Sequence, residues 1–413
     1  MSLIDRRTLL TGLPLAASAA ALPQTSAAPQ RAGSLKITKL AYYRSSIRWR
    51  DLLFVEVYTD GGIVGLGEGT CHGRVDVVEA ALRWLEPYVI GMDPAGPEKQ
   101  WERIAYRLTR WSSGIIPRTA LSALDIAFWD IEGKRLGVPV WRLLGGSIQP
   151  RFRNYHTHWD ATVGQPANPE AYAKRAEETV NAGWTAVKFS IPNRGTESER
   201  IAATVAILSA MRKAVGDKLD IGLECSESFT TRTAIRMAHA LEPYHPLFME
   251  EPLPRENPPS AFGELAAKSA VPVATGEGIL SRYDYRPLLE AKGAAIIQPD
   301  VVKCGGITEI RKIAALAECY GVEVAPHMCY GPVAHVASLQ SMSVCRNFVI
   351  HEWEGADDKL FQEATNGTYP VQKDGYLTLP DKPGLGIEFD AAALAKRYPF
   401  TNLGSQVEQR GRF

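Results

Sequence analysis

Eight short apolar runs recur at a nearly constant interval in the second part of the chain, each followed by a polar turn and a helical pattern. Their centres lie near residues 154, 187, 221, 248, 274, 297, 324 and 349, so successive centres are 23 to 34 residues apart. This is the length of one strand–helix unit of a parallel sheet, and eight such units favour a closed barrel over an open sheet. The runs occupy residues 152–156, 186–189, 219–223, 247–249, 273–275, 295–298, 322–325 and 348–350.

The chain before these runs has a different pattern. Residues 35–58 alternate apolar and polar side chains, and the following segment predicts a hairpin with its turn at Asp60-Gly61-Gly62. Residues 75–144 then show a helical period, which is clearest in "RTALSALDIAFWDIEGKRLG", and Gly137 and Pro139 should end that helix. We therefore expect an α+β domain at 35–150 and a barrel domain at 151–355. The turn-rich segment 356–413 is expected to return to the first domain.

The first residues are unlike the rest of the chain. Arg6-Arg7 precedes an apolar, alanine-rich run that reaches Leu22, and small residues follow. This order is typical of a twin-arginine export signal at 1–30, which predicts a periplasmic protein; the alternative is a disordered N-terminal tail. The apolar run is too short and weak to span a membrane, and no other run approaches the roughly 18 residues required, so no span is expected in the mature chain.

Charge and cysteine content exclude several classes of function. Lys+Arg and Asp+Glu both number 46, and a net charge of zero argues against a nucleic acid or an anionic membrane as partner. None of the six cysteines forms a CxxC pair, which argues against a zinc or iron–sulfur site and for free thiols. A small molecule is therefore the expected binding partner. We also expect the protein to form a homo-oligomer.

Glutamates follow three consecutive runs. Glu224, Glu250 and Glu277 are spaced by 26 and 27 residues, one repeat each. Because catalytic side chains in a parallel barrel lie where strands end, these carboxylates should meet at one rim. Each alone could be a solvated loop residue, but three in register would repel one another unless a cation lay between them. All-oxygen ligands favour a hard ion such as Mg²⁺.

Several motifs resemble the mandelate racemase branch of the enolase superfamily. They are "FMEEPL" (248–253), "ATGEG" (274–278), "IIQPDVVKCGGITE" (296–309) and "VAPHMCYGP" (324–332). Further agreement comes from "GLGEG" and "ALDIAFWDIEGKRLGVPVWRLLGG" in the first domain, so the resemblance extends from about residue 36 to the C-terminus. It implies an α+β capping domain over a (β/α)₇β modified TIM barrel, and its character is closest to the acid-sugar dehydratases of the galactonate type.

The resemblance implies roles for seven residues. His327 matches the general base, and Asp300 matches the carboxylate that orients it. Lys188 matches the first lysine of a Lys-x-Lys pair, and Glu352 matches the acid that hydrogen-bonds the substrate carboxylate or enolate. The residues that match the Mg²⁺ ligands are Glu224, Glu250 and Glu277.

Two positions depart from the family pattern. The ligand after the third run is usually an aspartate in Asp-x-Asn, whereas this chain has Glu224 in Glu-Cys-Ser, so Asp220 or Glu227 could compete for the metal. The second lysine of the pair is replaced by Ser190, which cannot take a carbon-bound proton near neutral pH. A racemase needs a base on each face, so the sequence favours a reaction with one base.

The predicted reaction is therefore dehydration of an acid sugar to a 2-keto-3-deoxy acid. A one-base epimerase or cycloisomerase of another carboxylate is an alternative, and an exported sugar-acid-binding protein without turnover is another. Loop residues expected to bind the substrate are Arg44, Arg48, His72, Tyr155 and His158, with Arg74 and His156 as further candidates; the alternative for the charged ones is ordinary surface charge.

Overall fold

The computed structural model of the chain describes residues 34–111, 114–163 and 168–404. The predicted export signal lies outside these residues. In the part of the chain that is described, no helix is long and apolar enough to cross a membrane.

An antiparallel sheet forms the start of the first domain. Its strands β1 (Ile37–Ile47), β2 (Arg50–Thr59) and β3 (Val64–Glu68) lie in the order β1-β2-β3. The predicted hairpin turn is confirmed, since β2 ends one residue before Asp60 and Gly62 takes a positive φ of 75°. Glycine adopts this conformation at little cost, which explains the Gly-Gly pair at the turn.

Four helices complete this capping domain: α1 (Val75–Val89), α2 (Pro97–Trp111), α3 (Ile115–Leu136) and α4 (Val140–Leu143). The predicted end of α3 is confirmed, because Gly137 adopts a left-handed conformation with φ 70° just after its last turn. All residues of α3 from Thr119 to Ile131 are buried, so the helix is covered on every side. It therefore packs between the capping sheet and the second domain.

The second domain is a parallel barrel with helices outside it. Neighbouring strands follow the order β10-β9-β8-β7-β6-β5-β4-β11, and a parallel bridge between Val324 and Phe348 joins the two ends. The strands are β4 (Phe152–His156), β5 (Ala186–Ser190), β6 (Asp220–Glu224), β7 (Phe248–Glu250), β8 (Val273–Thr275), β9 (Ile296–Ile297), β10 (Glu323–Val324) and β11 (His351–Trp353). The helices are α5 (Pro169–Asn181), α6 (Glu197–Val215), α7 (Thr231–Leu241), α8 (Pro259–Lys268), α9 (Arg282–Glu290), α10 (Gly306–Cys319) and α11 (Pro332–Met342).

The strands are buried on both faces, which is why they appear in the sequence as short apolar runs. One face fills the barrel interior with a cluster formed by Tyr155, Ala186, Phe248, Ala274, Ile296, Ala325 and Ile350. The other face packs against the surrounding helices. The predicted fold class is thereby confirmed.

The last strand lies three residues later than its predicted run. Phe348 makes only the bridge that closes the barrel, whereas the pairing with β4 begins at His351. The strand itself carries polar side chains: the His351 ring hydrogen-bonds the hydroxyl of Ser338, and Glu352 faces the barrel mouth. Apolar periodicity therefore places the strand too early.

Buried carboxylates join the capping domain to the barrel helices. Glu68 at the end of β3 accepts hydrogen bonds from the backbone N–H groups of Gly331 at 2.7 Å and Ala334 at 2.8 Å, at the start of α11. Asp125 of α3 accepts from the N–H and hydroxyl of Thr308 at 2.9 and 2.6 Å, near the start of α10. Helix N-termini attract negative charge, so both contacts match carboxylates to helix dipoles.

The C-terminal segment contains α12 (Asp358–Ala364), β12 (Tyr376–Leu377) and α13 (Ala391–Arg397). Strand β12 pairs antiparallel with β4 at the barrel. The chain then reaches the capping sheet, where Ser45 of β1 forms a bridge with Pro399, and the Gly404 N–H donates to the carboxylate of Asp51 at 3.1 Å.

Candidate active site

A cavity of about 700 Å³ lies at the carboxyl ends of the barrel strands. Side chains from strands or strand ends around the barrel line it, and His72 reaches it from the capping domain. The residues around it include Thr157, His158, Lys188, Ser190, Glu224, Glu227, Glu250, Glu251, Glu277, His327, Cys329 and Glu352. Such a site, with many ionisable groups in one concave region, is typical of an active site.

The three predicted metal ligands all face this cavity. Glu224 and Glu250 end neighbouring strands and are paired directly across the β6–β7 ladder, where strands lie about 4.8 Å apart. Glu277 follows the next strand, β8, by two residues. The even spacing of the repeats thus brings the carboxylates to three consecutive strand ends.

A lysine ammonium compensates these charges in the structure. The Nζ atom of Lys188 hydrogen-bonds Glu250 and lies 2.9 Å from Glu352 Oε1 and 3.8 Å from Glu224 Oε2. Burial would lower the pKa of Lys188, but Glu250 and Glu352 outweigh it and hold the pKa well above the ordinary value. Lys188 is therefore a cation near neutral pH at the centre of the site.

The carboxylates of Glu224, Glu250 and Glu277 are ligands of the kind that a divalent cation prefers, but their oxygen atoms do not converge on one point in this structure. Among the described residues, no group of three or more Asp, Glu, His or Cys side chains is arranged to hold a metal ion. Burial raises the pKa of Glu224 well above its ordinary value, and the neighbouring Glu250 carboxylate adds to the effect. Three oxygen donors on adjacent strand ends, with their mutual repulsion only partly compensated by Lys188, suit a hard ion such as Mg²⁺.

The predicted histidine–aspartate pair is formed. His327 Nδ1 lies 2.8 Å from Asp300 Oδ2, which also accepts a hydrogen bond from the Tyr330 hydroxyl at 2.8 Å. The other ring nitrogen, Nε2, lies 2.9 Å from Glu277 Oε2. Burial would lower the pKa of His327, but Glu277 raises it well above the ordinary value. A carboxylate on Nδ1 fixes the ring orientation and leaves Nε2 as the atom that faces the cavity.

Glu352 occupies the position expected of the acid on the last strand. Its Oε2 accepts a hydrogen bond from the backbone N–H of Met328 at 2.6 Å, and its Oε1 faces Lys188. Burial would raise the pKa of Glu352, but Lys188 and His327 lower it to about 2. Glu352 is thus ionised and pairs with the lysine.

Three predicted substrate-binding residues do not line the cavity. Arg44 forms an ion pair with Glu79 on α1 at 3.1 Å, and Arg48 pairs with Glu354 at 3.1 Å. Tyr155 is fully buried inside the barrel, beneath the ammonium of Lys188. Both arginine side chains pair with acidic residues that are distant in sequence. Tyr155 points into the barrel because side chains alternate along the strand and its neighbours point outward.

Of the remaining predicted residues, some line the cavity and others are paired elsewhere. His72 and His158 line the cavity, as does Ser190 at the position of the missing lysine. Asp220 cannot compete for the metal because it begins its strand, at the opposite end of the barrel, and pairs with Arg153. Glu227 lines the cavity but pairs with Arg255.

Three residues at the site were not anticipated from the sequence. The ammonium of Lys303 lies 3.3 Å from Asp300 and 3.5 Å from Glu277, and it joins the two carboxylates that contact His327. Cys329 Sγ lies 3.7 Å from His327 Nε2. Glu354, two residues after Glu352, binds His158. The sequence does place Lys303 three residues after Asp300 and Glu354 two residues after Glu352, and this proximity could have indicated that both side chains lie near the site.

Comparison with known proteins identifies the family. Residues 36–145 match the N-terminal domain of mandelate racemase and muconate lactonizing enzyme, and residues 171–393 match the enolase C-terminal domain-like family. The chain belongs to the enolase superfamily. Within this superfamily, the chain is 38% identical over 379 residues to the D-galactonate dehydratase of Pectobacterium atrosepticum. The aligned region covers 88% of this chain and 94% of the relative. The D-galactonate dehydratase of Ralstonia pickettii is 37% identical with the same coverage.

Solved structures agree with this assignment. A mandelate racemase/muconate lactonizing enzyme-like protein from Roseovarius sp. TM1035 superposes with a TM-score of 0.80 at 33% identity, covering 89% of this chain and 96% of the other. A member of the enolase superfamily from Salmonella Typhimurium gives a TM-score of 0.81 at 30% identity, covering 88% and 98%. This enolase-superfamily member is an enzyme of the hydro-lyase, dehydratase-like type.

Proposed function

We propose that the protein is a Mg²⁺-dependent dehydratase that converts an acid sugar into a 2-keto-3-deoxy acid. The observation that supports this most strongly is that the His327–Asp300 pair and the carboxylates of Glu224, Glu250 and Glu277 share one cavity. Relatives named D-galactonate dehydratase support an aldonic acid as the substrate. The ion, held by the three glutamates, would draw electron density from the substrate carboxylate and acidify the adjacent C–H bond.

His327 would take the proton from carbon 2. Its Nε2 faces the cavity, and Asp300 on Nδ1 balances the positive charge that the ring acquires. Nε2 is engaged with Glu277 in this structure, so the base becomes available when that carboxylate has another partner. Ser190 offers no base on the other side, in keeping with a single proton abstraction.

Lys188 and Glu352 would handle the charge that develops on the substrate. Removal of the proton places a second negative charge on the carboxylate, and the buried ammonium of Lys188 can stabilise it at close range. Glu352, held by Lys188 and the Met328 N–H, supplies an oxygen that can accept a hydrogen bond from a substrate hydroxyl or carboxyl proton.

The proposal is tested by incubating the purified enzyme with a panel of aldonic and uronic acids in heavy water with Mg²⁺. A dehydratase yields a 2-keto acid, detected as its semicarbazone, from one member or a few. An epimerase instead yields a deuterated diastereomer without a keto acid. Absence of keto acid from every member, with deuterium nevertheless entering at carbon 2, would contradict the dehydratase assignment and favour the epimerase.

We further propose that residues 1–30 direct export to the periplasm. Fusion of this segment to a reporter should deliver the folded reporter to the periplasm, and replacement of Arg6 and Arg7 together by lysine should retain it in the cytoplasm. Cell fractionation measures the distribution. Unchanged export of the lysine double variant would contradict the twin-arginine assignment.

A further inference from the structure

The cavity contains a second imidazole–carboxylate pair besides His327 and Asp300. His158 lies just after β4, and its Nδ1 is 2.7 Å from Oε2 of Glu354. The other oxygen of Glu354, Oε1, binds the guanidinium of Arg48 at 3.1 Å. Glu354 is fully buried, so with both oxygens engaged its orientation is fixed, and it fixes the imidazole in turn.

His158 is held against the cavity by two further features. Its backbone adopts a left-handed conformation with φ 48°, which costs free energy for a residue other than glycine and is found preferentially at functional sites. The ring of Trp49, from the turn between β1 and β2, lies 4.6 Å from the imidazole between ring centroids. Because Nδ1 is bound to Glu354, Nε2 is the nitrogen left to act on a ligand.

The two pairs flank the strand that carries Glu352. Strand β11 lies between β4, which precedes His158, and the strand end that carries His327. A substrate whose carboxylate lies at the glutamates could therefore present carbon 2 to one imidazole and the hydroxyl of carbon 3 to the other. Dehydration needs both an acceptor for the first proton and a donor for the departing hydroxyl group.

Three other ionisable groups in the cavity are poorer proton donors. Lys188 is held as a cation by Glu250 and Glu352, and its raised pKa makes it a weak acid. Cys329 contacts the base itself, through His327 Nε2, and burial raises the pKa of its thiol. His72 has no carboxylate hydrogen-bonded to its ring within the described residues, and burial lowers its pKa.

We propose that His158, positioned by Glu354, is the general acid that protonates the hydroxyl group leaving carbon 3. This inference rests on the proposed dehydration. The C–H electron pair at carbon 2 forms the carbon–carbon double bond while the proton passes to His327 Nε2. The C–O bond at carbon 3 breaks, and its oxygen takes the proton from His158 Nε2 and leaves as water. The resulting enol tautomerises to the 2-keto acid, and solvent returns both histidines to their starting protonation states.

The test separates the two proton transfers. It compares the acid sugar that the wild-type enzyme dehydrates with its 3-deoxy-3-fluoro analogue, whose fluoride needs far less help from an acid. His158→Gln should lose dehydration by about 10²-fold or more. The same variant should keep exchange of the carbon 2 proton with heavy water, and fluoride release, within about threefold of wild type. Glu354→Gln should show the same selective loss to a smaller degree.

His72→Gln is the matched control, because it removes an imidazole from the same cavity without a carboxylate partner and should slow hydroxyl and fluoride elimination equally, if at all. Equal losses of exchange, fluoride release and dehydration in His158→Gln would overturn the proposal, since they would show a binding or structural role. Undiminished dehydration would overturn it as well. If the wild-type enzyme exchanges the proton but forms no keto acid, the proposed function itself is wrong.

Discussion

At the scale of single residues, strand ends were predictable and side-chain partners were not. The positions of Glu224 and Glu250 follow from the repeat, because the last residue of a buried strand has little freedom in where it points. Arg48 and Glu354 are separated by 306 residues, and nothing local indicates their contact. Side chains with several rotatable bonds reach whichever opposite charge the fold brings near, so their partners emerge only from the folded structure.

Replacing the base should stop proton abstraction. His327→Asn keeps some hydrogen bonding but no basicity, and we expect kcat/KM to fall by at least about 10³, or roughly 4 kcal/mol in the barrier. Exchange of the carbon 2 proton with heavy water, followed by NMR, should disappear with it. Asp300→Asn should lose less, because the imidazole remains. Near-normal exchange in His327→Asn would place the base elsewhere, with Lys188 as the next candidate.

Removing the buried cation should destabilise the fold in the absence of metal. Lys188→Met retains the length of the side chain but leaves Glu250 and Glu352 buried without a counter-charge, at a cost of about 3–5 kcal/mol. Urea denaturation in EDTA measures the change. The exposed pair of Lys382 and Glu388 supplies a control, since Lys382→Met should change stability little. Equal effects of the two substitutions would contradict this account.

At the scale of elements, the repeat predicts the seven strands from β4 to β10 to within one residue at each end. It placed β11 too early, because this strand carries functional polar residues where an apolar run is expected. The period predicts helix α3, but no local pattern indicates which helices it contacts. Those contacts depend on Glu68 and Asp125, whose partners lie on α11 and α10.

The cap–barrel junction should respond to pH through Glu68. Burial raises its pKa from 4.5 to about 7, so the folded protein binds this proton more tightly than the unfolded chain. The stabilisation from proton binding is complete below pH 4.5 and is lost as pH rises through about 7. Glu68→Gln resembles the protonated acid, and we expect its stability relative to wild type to improve by about 3 kcal/mol at most between pH 5 and pH 8.

Chemical denaturation at several pH values measures this difference. Asp125→Asn should show a change of the same sign, because burial also raises the pKa of Asp125 to about 7. A difference between wild type and Glu68→Gln that does not vary with pH would show that the carboxyl group is not the titrating group at this contact.

At the scale of the whole molecule, the sequence predicted the two-domain plan and the shared rim, since both follow from repeat length and strand direction. The resemblance implied that the capping domain covers the site, but the sequence did not show which side chains of the two domains touch there. The ring of Trp49 comes from the capping domain and lies 4.6 Å from the ring of His158 in the barrel, and the ring of His72, also of the capping domain, lies 5.2 Å from that of Trp49. Such contacts require both domains to be folded and docked.

Metal binding should therefore stabilise the whole molecule. An ion that binds only the folded state contributes about 2.7 kcal/mol when its concentration is 100 times Kd, so Mg²⁺ should raise Tm measurably and EDTA should reverse the rise. EDTA should also abolish activity. Glu250→Gln removes a ligand charge and should show little or no increase in Tm with Mg²⁺. An equal Mg²⁺ response in wild type and variant, measured by calorimetry, would refute the assignment of this glutamate.

The turn between β1 and β2 has a consequence for how such an enzyme diversifies. Arg48 and Trp49 in this turn touch Glu354 and His158, whereas the proton acceptor and the three glutamates belong to the barrel. Mutations in this turn can therefore change substrate specificity while the catalytic residues of the barrel stay the same. Such mutations also disturb the contacts of the turn with Glu354 and His158. A change in specificity is then expected to change the rate of turnover as well.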